Sequence, residues 1–367
     1  MPKPACRPPK LVRVAADLLS VTPFRQEGIE RLARELKSSR AGRSVVLSTH
    51  INADGDGCGS EAALARMLGQ MGFEVTIVNP TPWPEMFRFL VDQGNEAVGG
   101  VKPFRVVEVA DGGADVMRKA DLIVVLDISD LRRLSTLGDV VRKFAGPVLV
   151  IDHHVPSDEP PGTEVFSDTT ACATGELIFD FATVLGLEIT PAIAQSIYVA
   201  ILTDTGGFRF SNTSPRCHSI AGQLLTKGVD PEAMYQHIYA SMPVGRLHLL
   251  REALGTLEVD PTYGISWISV SASALEQHGV RPEDLDGIAE HARSIAGTRM
   301  AIFFRELNNR RVKISFRTTG GTDANVFARQ FGGGGHVKAA GALVEGSLDD
   351  VQHRVIQAAR EFLRAGK

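Results

Sequence analysis

Apolar runs that stop abruptly at acidic and histidine side chains restrict the fold of this chain more than any other feature. Val45 to Thr49 leads into His50, Asp54 and Asp56. Leu122 to Leu126 leads into Asp127, Pro147 to Ile151 into Asp152, His153 and His154, and Ile197 to Thr203 into Asp204. Such runs lack the two-residue alternation of a half-exposed strand and fit strands buried on both faces of a parallel sheet. In an open parallel sheet, ligands collect beyond the carboxyl ends of the strands. Four ends carrying only Asp and His describe a site for hard cations, most simply a dinuclear one.

The spacing predicts strands at 45–49, 74–78, 122–126 and 147–151, with helices at 24–37, 60–71, 174–186 and 192–202. This alternation implies an α/β fold, a parallel sheet with helices on both faces. At 367 residues the chain has room for two domains. We expect a disordered tail over 1–22, a metal-binding domain over 23–230, a helical connector over 231–258 that breaks at Pro243, and a smaller α/β domain over 259–365. In the last, strands at 264–270, 300–304 and 312–316 around a helix at 282–295 suggest a mixed sheet.

The net charge of −4 gives no global field for long nucleic acid or an anionic membrane. The balance is local instead: Glu290 to Glu345 holds nine Lys/Arg against four Asp/Glu, which favours an anionic ligand there. Cys6, Cys58, Cys172 and Cys217 show no paired spacing and fit a reducing, cytoplasmic setting. No apolar stretch is long enough to span a membrane, and the start lacks the apolar core of a signal peptide.

Each motif has an ordinary reading as well as a chemical one. Asp-Gly pairs are common turns, and a lone Asp after a strand is often a helix cap. In the first motif, Asp54 and Asp56 stand among glycines that permit tight folding and could face different ions. The helix start near Gly59 and Ser60 could then hold a phosphate oxygen. Of His153 and His154, one imidazole can ligate metal while the other orients or protonates a leaving group. Together the motifs would gather carboxylates that repel one another unless a cation is present.

The ordered set of His50, Asp54 and Asp56, then Asp127, then Asp152, His153 and His154, then Asp204 resembles the DHH phosphoesterase superfamily. The segment from Ser315 through Arg317, Asp323 and the glycine run to His336 is similar to the DHH-associated domain. Nearly the whole chain is covered, and the oligoribonuclease/pAp-phosphatase branch is the most similar. The resemblance implies one Mn²⁺ (Mg²⁺ being possible) on His50, Asp54 and Asp127, and a second on Asp56, Asp127, His153 and Asp204. It also implies that His154 contacts the scissile phosphate or assists the leaving group, and that Asp152 orients a histidine. Cys172, Ala173 and Thr174 stand where relatives carry a serine/threonine run, which puts the polar contacts of that loop in doubt.

For substrate binding, Arg317 suits bidentate phosphate contact or stacking, beside Ser315. Gly333, Gly334 and Gly335 can offer successive N–H groups as an anion nest, with His336 as a further donor, and Arg133 lies close after a metal motif. The expected activity is stepwise hydrolysis of very short RNA, roughly two to five nucleotides, because longer strands would call for more positive surface. Dephosphorylation of pAp accompanies it. Alternatives are a phosphodiesterase for cyclic dinucleotides, a pyrophosphatase, and a silent nucleotide sensor. No P-loop is present. A homodimer is an expectation from the resemblance alone.

Overall fold

Val45 and Leu47 join one apolar cluster, while Val46 between them joins another on the opposite side. Leu122, Val124, Leu126, Leu149 and Ile151 likewise face the first cluster, and Ile123, Val125, Val148 and Val150 the second. This two-sided burial is why these strands read as continuous apolar runs. The computed structural model describes residues 18–38, 44–92, 103–241, 243–281, 285, 287–335 and 337–366. Residues 1–17 of the expected tail, and His336, lie outside them.

The chain divides into two compact units, Met1–Ala240 and Ser241–Lys367. In the first, β1 (Ser44–Ser48), β2 (Glu74–Ile77), β3 (Arg105–Val106), β4 (Leu122–Leu126), β5 (Val148–Asp152) and β6 (Glu164–Ser167) form one parallel sheet. Its order is β3-β2-β1-β4-β5-β6. The order reverses between β1 and β4, so a crevice opens beyond their carboxyl ends. Helices Pro23–Ser38, Gly55–Gln70, Thr174–Leu185 and Pro191–Asp204 cover the face holding the first cluster.

Two expectations need correction. The helix expected at 192–202 is present, capped by Thr190 with Pro191 in its first turn, but it runs to Asp204, so the apolar run grouped above with the strand ends closes a helix instead. Ile197 to Leu202 are all buried, so this stretch of the helix has no polar face and its apolar run looks like a strand. The helix expected from residue 60 begins at Gly55, and Gly59 and Ser60 lie buried inside it with no open amino end. Its glycines serve packing: a Cβ at Gly59 would lie 2.4 Å from Ser196 O, and one at Gly55 2.4 Å from Thr203 Cγ2.

The expected connector contains two helices, Pro231–Tyr239 in the first unit and Val244–Gly255 in the second. The second unit is built on β7 (Glu258–Asp260), β8 (Ile265–Val270), β9 (Met300–Leu307), β10 (Arg311–Thr318), β11 (Gly334–Gly335) and β12 (Ala339–Glu345). The order is β11-β12-β10-β9-β8-β7, with only β8 and β9 parallel, so the sheet is mixed as expected. Helices Ala324–Arg329 and Leu348–Arg364 cover one face. Helix Ile288–Arg293 packs on Ala301 and Phe303 of the other; it falls within the pattern expected at 282–295, of which 282–284 and 286 lie outside the described residues.

Two glycine substitutions separate these roles. Gly59→Ala should destabilise the fold by about 1–3 kcal/mol, because backbone of a neighbouring helix blocks the methyl group. Gly222→Ala lies mid-helix with nothing within 4 Å of the added carbon. It should stabilise by up to about 1 kcal/mol. Urea unfolding of both variants checks the pair.

Candidate metal centre

His50 follows β1 by two residues, Asp127 directly follows β4, and Asp152 closes β5 with His153 and His154 after it. Asp54 caps helix Gly55–Gln70, Asp56 sits in its first turn, and Asp204 ends helix Pro191–Asp204. Three strand ends and two helix termini thus bring together residues that are distant in sequence. Asp127 adopts a left-handed backbone conformation (φ 61°), an uncommon one for a non-glycine residue that tends to occur where function fixes a side chain.

The decisive geometry is at two imidazole nitrogens. His50 Nδ1 donates to Ile51 O at 2.9 Å, so Nε2 points the other way, 3.5 Å from Asp127 Oδ2 and 3.6 Å from Asp54 Oδ2. His153 Nδ1 lies 3.3 Å from Ala171 O. Its Nε2 faces Asp56 Oδ2 at 3.6 Å, Asp127 Oδ1 at 3.6 Å and Asp204 Oδ2 at 3.8 Å. Both Nε2 atoms are buried without a hydrogen-bond partner among the described residues. Ligand atoms of His50, Asp54 and Asp127, of Asp56, His153 and Asp204, and of Asp127, His153 and His154 gather in three overlapping groups, each within 4.8 Å. Such spacings are too long for hydrogen bonds and wide enough for ions bonded at about 2.1 Å. The residues present therefore fit two divalent ions, with Asp127 able to serve both.

The electrostatics carry the same message. Burial and the negative charges of Asp127, Asp204 and Asp54 push the Asp56 carboxyl well above its ordinary range. Burial, then Asp127 and Asp54, push Asp204 up to about 6, against the pull of His153 and His154. Burial alone would lower the His50 pKa, but Asp127 and Asp54 raise it to about 10. Each group is shifted in the direction that a concentrated positive charge would relieve.

Contacts that the sequence reading did not foresee hold this cluster in place. Asp56 accepts from Thr174 N at 2.6 Å, Gly175 N at 2.9 Å and Ser60 Oγ at 3.1 Å. Thr174 Oγ1 donates to Asp127 Oδ1 at 3.1 Å, so this loop does supply polar contacts despite its departure from the family pattern. Asn212 Nδ2 donates to Asp204 Oδ2 at 3.1 Å and to Cys172 O at 2.9 Å. Glu176 accepts from Cys172 N at 3.0 Å and from the buried Arg25 at 2.6 Å. Arg25 also pairs with Asp168 and Asp180, and Arg216 with Glu176 and Asp180. No spacing rule signals contacts such as Thr174 to Asp56 or Arg25 to Glu176, which join segments more than a hundred residues apart.

Asp152 Oδ1 accepts from His154 Nδ1 at 2.8 Å, and the two histidine rings meet edge-on at 4.5 Å. Burial opposes the charged form of His154, but Asp152 and Asp127 raise its pKa. Arg133 is half-buried and near enough for its charge to favour the ionised form of Asp54 and to oppose that of His154. Asp130 caps the following turn and pairs with Arg132.

The other substrate-contact candidates belong to the second unit. Arg317 donates from Nε to Glu290 Oε1 at 3.0 Å and from its guanidinium to Phe316 O at 3.1 Å. Ser315 lies on β10 opposite Gly341. Gly334 and Gly335 pair with Gly341 and Ala340 as an edge strand, and the N–H of Gly335 donates to Asn325 Oδ1 at 3.1 Å. A Cβ at Gly333 would lie 2.1 Å from Gly341 O, so close strand approach also requires glycine there.

Residues 44–201 match the DHH family N-terminal domain and residues 264–365 the DHHA1 domain. The chain is 32% identical over 339 residues to a bifunctional oligoribonuclease and PAP phosphatase, NrnA, from Thermus thermophilus, covering 92% of this chain and 95% of that one. It is 26% identical to the Bacillus subtilis protein of the same name, over 82% and 89%. An exopolyphosphatase-related protein from Bacteroides fragilis superposes with a TM-score of 0.83 at 25% identity, over 93% and 97%. The Thermus thermophilus exonuclease RecJ in complex with Mn²⁺ shares the fold, with a TM-score of 0.52 at 15% identity over 95% and 56%.

Metal binding should be visible without any activity. Saturating Mn²⁺ at a hundred times its dissociation constant should stabilise the chain by about 2.7 kcal/mol per site, read as a rise in Tm over protein in EDTA. Asp127→Asn should raise the Tm in EDTA, by relieving repulsion, and abolish most of the metal-dependent rise. Asn212→Ala leaves every ligand in place but frees Asp204. It should weaken Mn²⁺ binding by roughly 10- to 100-fold in a calorimetric titration.

Proposed function

Because this chain belongs to the DHH phosphoesterase family and carries a DHHA1 domain, we propose that it is a metal-dependent hydrolase that degrades very short RNA to nucleoside monophosphates and removes phosphate from pAp. The observation that carries this reading is the pair of buried, unpartnered imidazole nitrogens facing a carboxylate set. His50, Asp54 and Asp127 would hold one Mn²⁺, and Asp56, Asp127, His153 and Asp204 would hold the other. Such ions would supply Lewis acidity for phosphoester hydrolysis.

The chain's own groups do the rest. Asp152 fixes the tautomer of His154 and, with Asp127, favours its protonated form. His154 then holds the proton that the departing ribose oxygen needs. Arg133 adds positive charge beside Asp54 where a phosphate would lie. In the second unit, Arg317, Ser315 and the strand Gly334–Gly335 recognise the nucleotide, with Glu290 giving way when a phosphate takes its place on Arg317. A cytoplasmic location fits this substrate, and no helix among the described residues is long and apolar enough to cross a membrane.

Initial rates with Mn²⁺ on pApA, pAp, cyclic di-AMP and a 24-nucleotide RNA test the reading. Turnover of pApA and pAp well above the long RNA is expected, with His154→Ala lowering kcat about 10²- to 10⁴-fold. Silence on both pApA and pAp would overturn it, and preference for cyclic di-AMP would replace it with a cyclic-dinucleotide phosphodiesterase.

A further inference from the structure

At the carboxyl end of β1, backbone pairing stops short of the metal centre and side chains take over. The last pairs of β1 are Leu47 with Ile77 of β2 and Ser48 with Val125 of β4. Thr49 comes next, immediately before the metal-facing His50. Its N–H donates to Asn79 Oδ1 at 2.9 Å, and its hydroxyl donates to Leu126 O at 2.9 Å. Leu126 directly precedes Asp127, whose own N–H is tied on the far side to Ile151 O at 3.0 Å. One threonine thus joins the backbone that presents His50 to the backbone that presents Asp127.

Asn79 is fixed in turn. Its Nδ2 donates at 2.8 Å to Oε2 of Glu61, a residue of the helix whose amino end carries Asp54 and Asp56. A carboxamide has one donor end and one acceptor end, so an acceptor at Glu61 decides which way Asn79 faces. Turned over, its NH₂ would oppose the N–H of Thr49. Thr49, Asn79 and Glu61 are all buried, so water does not replace a lost partner. Burial pushes the Glu61 carboxyl up to about 8, against the pull of Asn79 and His50, which leaves it mostly neutral at pH 7. Its other oxygen, Oε1, is buried with no hydrogen-bond partner among the described residues. An apolar side chain at this position would avoid that cost, so Glu61 is better explained by the amide it orients than by stability.

A different set of contacts holds the other half of the centre. Asp56 is held by Thr174 and Gly175, Asp204 by Asn212, and His153 faces Ala171 O. Asp127 keeps its ties to Thr174 and Ile151 when Thr49 is altered. We infer that Thr49, Asn79 and Glu61 are positioning residues for one metal ion, the one that His50, Asp54 and Asp127 would hold, and that they leave the other ion untouched. The inference rests on the two-ion reading above and deepens it, by giving each ion its own support.

Calorimetric titration of the metal-stripped full chain with Mn²⁺ tests this without any turnover. Asn79→Ala and Thr49→Val should each weaken one of the two sites by roughly 10- to 100-fold and leave the other unchanged. Glu61→Leu should act like Asn79→Ala, whereas Glu61→Gln, neutral and still able to accept from Asn79, should retain both affinities. In a His50→Ala background, Asn79→Ala should leave the affinity of the remaining ion unaltered, because the site it supports is already lost. A merely structural role would lower the Tm in EDTA and move both sites together or neither. Equal weakening of both sites, no weakening of either, an effect that persists in the His50→Ala background, or Glu61→Gln as weak as Glu61→Leu overturns the inference. Should Asn79→Ala fail to fold, Thr49→Val, close to threonine in shape, gives the same comparison. The unaltered chain scores the metal reading separately. Binding of no Mn²⁺ there would remove that reading and this inference with it, whereas two ions with unresponsive variants would remove this inference alone.

Discussion

Two buried imidazole nitrogens aimed at carboxylate oxygens, with no donor between them, set the terms for the first unit. Acceptors converging at these spacings repel one another unless a positive charge joins them, and a proton on His50 satisfies only one side of the cluster. Most of the neighbouring structure serves to keep this unfavourable gathering from spreading apart. Asp127 takes a strained backbone conformation, Asp56 is clamped by two backbone N–H groups, and Asp204 is held by Asn212.

The clamp has its own foundation. The loop that presents Thr174 and Gly175 is fixed from behind by Glu176, which accepts from Cys172 N and from Arg25. Arg25 comes from the first described helix and is buried with three carboxylates around it. Removing one partner from such a group leaves an uncompensated buried charge, so the network resists rearrangement whether or not it adds net stability. Its value lies in geometry: it links the amino-terminal helix to backbone donors on a metal-facing carboxylate.

How much of this was legible in the sequence depends on what kind of signal each part leaves. Burial on both faces makes β1, β4 and β5 apolar without alternation, and Asp127 and Asp152 mark where they end, so the sheet and most of the cluster could be read directly. The helix before Asp204 was legible at 192–202, with Thr190 and Pro191 announcing its start, but burial of Ile197 to Leu202 erases helical periodicity there and made its end look like a strand end. Gly55 and Gly59 read as a loop because their role, letting the helix approach Ser196 and Thr203, concerns partners far away in sequence. The contacts of Thr174 with Asp56 and of Arg25 with Glu176 left no local trace for the same reason, whereas Asn212 lies only eight residues from Asp204 and belongs to no motif that marks it. In the second unit, alternation along β10 was plain, but which residues of β9 stand opposite it depends on register, which only the pairing reveals.

Metal stoichiometry tests the central claim most directly. Equilibrium dialysis against Mn²⁺, followed by elemental analysis of the protein, should give two ions per chain. In His50→Ala, where one acceptor group is lost and the group around His153 is intact, it should give one. A count of one or none in the unaltered chain would contradict the account, as would two ions retained in His50→Ala.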